Sequence, residues 1–158
     1  MQGRVFAGIA FMLTCLSAWS APVERTLRVS VDIVVGQASS TLEIIAPRTD
    51  FLVVYLANLR RFQSLDIPFS VRRVDGNAHG YSLSLAQLTG QCELNGAVNS
   101  MVPTLMLDGQ SFTSAVSVSG LANPDQAHVL NLVFPNIAQA DVSQSCDGAV
   151  GIIAAATF

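Results

Sequence analysis

The sequence predicts an all-β sandwich. Short stretches of alternating apolar and polar residues recur along the chain, turns rich in Gly, Pro, Asn and Asp separate them, and no long amphipathic helical repeat appears.

At the N-terminus, Arg4 precedes an apolar run from Val5 to Leu13 and then the small-residue stretch Ser17-Ala18-Trp19-Ser20-Ala21, the layout of a secretory signal peptide. Cleavage after Ser20 sets Ala18 and Ser20 at the two small positions that a signal peptidase reads, whereas cleavage after Ala21 leaves Pro22 beside the cut. The mature chain is therefore expected to start at Ala21. The rival reading, an uncleaved anchor, needs roughly 20 apolar residues to span a bilayer, and this run is shorter. Thr14 before Cys15 argues against lipidation, where Gly, Ala or Ser is required.

The first strand of the mature chain alternates Leu27, Val29, Val31 and Ile33 against Arg28, Ser30 and Asp32. A polar stretch over residues 36–40 leads to Thr41-Leu42-Glu43-Ile44-Ile45, which Pro47 ends. From Phe51 to Leu59 the pattern is divided, because Phe51, Tyr55 and Leu59 recur at helical spacing while Val53, Val54 and Tyr55 favour a sheet; we read a strand. Ile67, Phe69 and Val71 alternate with Pro68, Ser70 and Arg72 up to the turn Asp75-Gly76-Asn77, and Tyr81, Leu83 and Leu85 form the next apolar face. Met101 to Leu107, Asp108-Gly109 and Ser111 to Val118 read as a β-hairpin, since Asp-Gly accepts the positive φ angles of a tight turn. Ala127 to Phe134 is a strand between Pro124 and Pro135, and the chain closes on Val150, Ile152, Ala154, Ala156 and Phe158 alternating with Gly151, Ile153, Ala155 and Thr157. No internal repeat or linker divides the chain.

Without residues 1–20 the chain has 138 residues, enough for one domain around one core. Its formal charge is then −4, because Arg4 is lost and no acidic residue is. Nucleic acid and anionic membrane are poor partners for such a chain. Charged residues make up 12% of the sequence and hydrophobic ones 51%, which is apolar for a solitary soluble protein and points to surface covered by a partner. Loss of Cys15 leaves the even pair Cys92 and Cys146, for which a disulfide is the default in an exported protein, with two free buried thiols as the other reading.

The chemistry of an enzyme is not visible. Neither His79 nor His128 stands in a catalytic motif, there is no Gly-x-Ser-x-Gly and no phosphate-binding glycine loop, and Gly109-Gln110-Ser111 lacks the second glycine and following helix of a nucleophile elbow. Cys92, Cys146, His79 and His128 lack the close spacing of zinc sites, so no metal and no cofactor is expected. The doublets Arg60-Arg61 and Arg72-Arg73 read as solvated charge, a receptor-binding patch being the alternative. An outer-membrane barrel, which also ends in an alternating strand with a final Phe, needs at least about eight strands of roughly 9 to 11 residues and aromatic girdles. Most stretches here are too short, and the mature chain has two Tyr and no Trp.

A further reading comes from particular segments: residues 23–32 (Val-Glu-Arg-Thr-Leu-Arg-Val-Ser-Val-Asp), Leu42-Glu43, Phe69-x-Val71 and the closing Gly148-x-Val150-x-Ile152-Ile153. In these the chain resembles a chaperone-usher pilin, most of all the alternate-clade subunits of coli-surface-antigen fimbriae and the common pilus. Cys92 and Cys146 depart from the major subunits of that clade, which generally lack cysteine. The resemblance implies an immunoglobulin-like sandwich lacking one strand, with residues 1–20 as signal peptide, 21–36 as donor-strand segment and 37–158 as the pilin domain. It implies a structural, non-enzymatic subunit that passes through the periplasm to a surface fimbria and supports cell adhesion. Its partners would be a periplasmic chaperone, an outer-membrane usher and related subunits. Leu27, Val29, Val31 and Ile33 would fill a neighbour's pockets, and Val150, Ile152, Ala154, Ala156 and Phe158 would pair with the chaperone. A monomeric secreted β-sandwich binding domain is the alternative.

Overall fold

A computed structural model describes residues 26–35, 42–74, 80–119, 125–137 and 144–157, with the backbone alone for Thr26 and 30–35. The described residues form strands joined by turns, in two sheets, with no helix among them. In chain order they are β1 (Thr26–Val35), β2 (Leu42–Ile45), β3 (Asp50–Leu56), β4 (Arg61–Phe62), β5 (Leu65–Arg73), β6 (Gly80–Leu94), β7 (Ala97–Ser100), β8 (Thr104–Leu107), β9 (Gln110–Ser111), β10 (Val116–Ser119), β11 (Asp125–Val133) and β12 (Ser145–Thr157). The first sheet runs β10-β6-β12-β1-β3-β4, with β7 also on β6; the second runs β2-β5-β11-β8-β9.

The alternation read from the sequence is the alternation of burial. Ile67, Phe69 and Val71 of β5 face inward, as do Tyr81 and Leu83 of β6, Leu130 and Leu132 of β11, and Val150, Ile152 and Ala154 of β12. These inner faces of the two sheets make one core, the arrangement of a β-sandwich. The divided stretch after Phe51 is a strand to Leu56 and then a turn, where Leu59 and Arg60 donate N–H groups to the Leu56 and Ala57 carbonyls and Arg60 takes φ 51°.

The Asp108-Gly109 hairpin is present but much shorter than the sequence predicts. Only Met106 and Leu107 pair with Ser111 and Gln110 across the turn, whose two residues take φ 51° and 80°. Phe112, which is fully buried, turns into the core and its N–H donates to Leu105. The chain then crosses to the other sheet, where β10 pairs with β6. A second turn of the same chemistry, Asn95-Gly96 at φ 50° and 80°, joins β6 to β7 and was not anticipated from the sequence.

The two longest strands, β6 and β12, pair antiparallel along nearly their whole length, with Ala86 as the extra residue opposite Gly151 and Ile152. Cys92 and Cys146 face each other in this ladder and are joined by a disulfide.

Candidate functional site: the first strand and the polar tie between the sheets

β1 lies inside the first sheet, between β12 and β3. It pairs parallel with β12 from Thr26 opposite Ser145 to Val35 opposite Ala154, and antiparallel with β3 from Thr26 opposite Val54 to Ser30 opposite Asp50. The β1–β12 pairing is the one parallel ladder among the described residues.

Successive strands place their inward side chains in register. Val53, Leu27, Cys146 and Cys92 form a row across β3, β1, β12 and β6, all buried. Phe51, Val29, Gly148 and Gly90 form the next one. Gly90 has no room for a side chain, since a Cβ there would stand 2.2 Å from the Met101 carbonyl oxygen. Of the expected donor residues, Leu27 and Val29 thus sit in the core of their own chain, at 0% and 3% exposure, with Arg28 on the outer face. The Val31 and Ile33 side chains lie outside the described residues; their backbones pair with Val150 and Ile152. On β12, Val150, Ile152 and Ala154 are buried, Ala156 is half-buried, and Phe158 lies outside the described residues.

A polar centre in the core was missed in the sequence. His128 of β11 is 5% exposed, and its Nδ1 is 2.6 Å from Oδ2 of Asp108 in the β8–β9 turn. Its Nε2 is hydrogen-bonded to the hydroxyl of Tyr81 on β6, in the opposite sheet. A carboxylate can only accept, so Nδ1–H donates to Asp108; in the neutral ring Nε2 is then the acceptor and Tyr81 O–H the donor. The Phe69 ring lies against the imidazole at 5.3 Å between centroids. Asp108 is fixed as well: its Oδ1 accepts the Val129 N–H at 2.8 Å, and its own N–H donates to the Val129 carbonyl at 2.9 Å. Burial pushes the Tyr81 hydroxyl pKa up, and the Asp108 carboxylate pushes it further the same way. The three residues are 81, 108 and 128 in the chain and share no motif; the one signal in the sequence is a His on the inward phase of β11, where Leu130 and Leu132 follow it.

With Tyr81 fully buried and His128 nearly so, this centre is a tie between sheets and not an open reaction site. Among the described residues no group of three or more His, Cys, Asp or Glu could hold a metal ion. His79 lies outside the described residues. Of the arginine doublets, Arg72 is exposed and paired with Asp125 at 2.8 Å and Glu43 at 3.7 Å, and these acidic neighbours raise its pKa, the Asp125 hydrogen bond foremost.

No family model and no curated protein matches this sequence. Among solved structures the chain is similar to the CooA pilin subunit from enterotoxigenic Escherichia coli, with TM-score 0.41 and 10% identity over 72% of this chain and 97% of that one. A likeness at that score and identity fixes neither the fold nor the activity of this chain, which rest on its own strands.

Proposed function

We propose that this chain is a structural subunit of a surface fimbria, assembled through a periplasmic chaperone and an outer-membrane usher by exchange of its first strand. The observation that carries the reading is the place of β1. Among the described residues it is the first strand in the chain, and yet it sits centrally between β12 and β3. Its departure would open a groove between those two strands, uncover the inner row beside Cys146, and leave two main-chain edges unpaired. A segment that enters such a groove gains affinity from main-chain hydrogen bonds and specificity from alternate side chains. Leu27 and Val29 together contribute about 3 to 6 kcal/mol of burial, while ordering ten backbone residues costs at least as much, so the ladders and the same-phase Val31 and Ile33 must supply the balance.

In this reading β1 of one copy fills the groove of the next and supports adhesion as part of a fibre. β12, which lines the groove throughout, is the strand a chaperone would pair with first. The second reading, a monomeric secreted binding domain, draws on the burial of Leu27 and Val29 in their own chain.

Replacing Val29 and Val31 by Asp separates the two. A donated strand leaves the acceptor groove unaltered, so the variant is still exported and captured by its chaperone but forms no SDS-resistant ladder. A strand that only ever serves its own chain puts two carboxylates into its own core, and export, capture and ladder are lost together. That joint loss contradicts the proposal.

A further inference from the structure

Beside β3, β1 and β12 of the first sheet lies a cleft of about 620 Å³, with Arg28 and Val29 of β1 in its lining. Its floor is a row of Cα partners, Leu52 on β3, Arg28 on β1 and Asp147 on β12, all exposed. Arg48, Asp50 and Phe51 complete it from the start of β3, and the Arg48 guanidinium lies over the Phe51 ring at 5.4 Å from its centroid. Neither Arg28 nor Arg48 is paired with a carboxylate among the described residues. Of the two acids, Asp147 is engaged by the Gln91 side-chain amide at 3.3 and 3.4 Å, and the Asp50 carboxylate has no hydrogen-bond partner among the described residues.

We propose that this cleft binds a small organic monocarboxylate that also carries hydrogen-bond donors. Two guanidiniums in one cleft with no carboxylate partner among the described residues call for an oxyanion, since the planar fork of Arg matches a carboxylate or phosphate. The same cleft holds the Asp50 and Asp147 carboxylates, so a dianion such as phosphate meets repulsion that a single negative charge meets less. The volume lies in the range of small-molecule sites, roughly 300 to 1,000 Å³, far more than a carboxylate fills. The 69% exposed Leu52 offers an apolar wall to the remainder, and Asp50 accepts from a hydroxyl or amide of the ligand. An acidic sugar and the C-terminal end of a peptide both present this chemistry.

The test is a calorimetric titration of the exported full chain with glucuronate, glucose, N-acetyl-Ala-Ala, its C-terminal amide and inorganic phosphate. Saturable binding of glucuronate without glucose assigns the sugar source; binding of the free peptide carboxylate without the amide assigns the peptide source. In either case Arg28→Gln and Arg48→Gln each weaken the binding about tenfold, as loss of a charge-assisted hydrogen bond does. Both side chains are exposed or on the surface loop, so the thermal midpoint stays where it was, which separates a lost contact from a lost fold. Saturation by none of the carboxylates, equal binding of the neutral analogues, tighter binding of phosphate, or unchanged affinity in either arginine variant overturns the proposal.

Discussion

β1 and β11 are both central strands with a partner on each side, but they are held in different ways. β11 lies between β5 and β8 and sends His128 across the core to Tyr81 and down to Asp108. β1, whose side chains are described for Leu27, Arg28 and Val29, lies between β12 and β3 through its two ladders and the burial of Leu27 and Val29. A central position does not by itself make a strand integral. On the strand-exchange proposal, a strand held by ladders and apolar burial can leave more readily than one that also sends a side-chain tie across the core.

Four changes break or sharpen that contrast. The largest is removal of the covalent link beside β1: Cys92→Ala with Cys146→Ala opens a loop with separation 54 and, on the chain-entropy model, lowers stability by about 4 kcal/mol. Urea unfolding of the variant beside the disulfide-bonded parent reads it directly. Next is His128→Leu, which leaves the Tyr81 hydroxyl buried without its partner; a loss of about 2 to 3 kcal/mol is expected. A loss no bigger than that of a surface change would erase the distinction between the two strands.

The third concerns pH. The folded state holds Tyr81 neutral to a higher pH than the unfolded chain does, so its contribution is complete below the ordinary tyrosine pKa of about 10 and is lost as pH climbs above it. Unfolding midpoints measured from pH 8 to 12 should fall at the alkaline end, and Tyr81→Phe should flatten that fall. The smallest effect belongs to Arg72→Gln. Its pairs with Asp125 and Glu43 lie in solvent, so the urea midpoint should not move measurably, and a clear shift would mean that the outer face of β5 matters more than its exposure indicates.

Much of the fold was legible because one physical rule, inward apolar residues at every second position, holds along β5, β6, β11 and β12. What periodicity could not give was which sheet a strand joins. The stretch after Asp108-Gly109 carries the right alternation for a long hairpin, but the buried ring of Phe112 draws the chain across the core, and β10 ends up on β6. The site was legible in part. The alternation of Leu27 and Val29 marked a buried strand without saying whose core it fills. The Tyr81, His128 and Asp108 contacts join residues 47 and 20 apart in the chain, and only the packing of the two sheets brings them together.

Native-state hydrogen exchange on the isolated protein tests the proposed detachment of β1 most directly. Amides of Thr26–Val35 in β1 should exchange through an opening well below the global unfolding free energy, while those of Asp125–Val133 in β11 exchange only with global unfolding. Equal protection of the two strands, both at the global limit, would contradict the account.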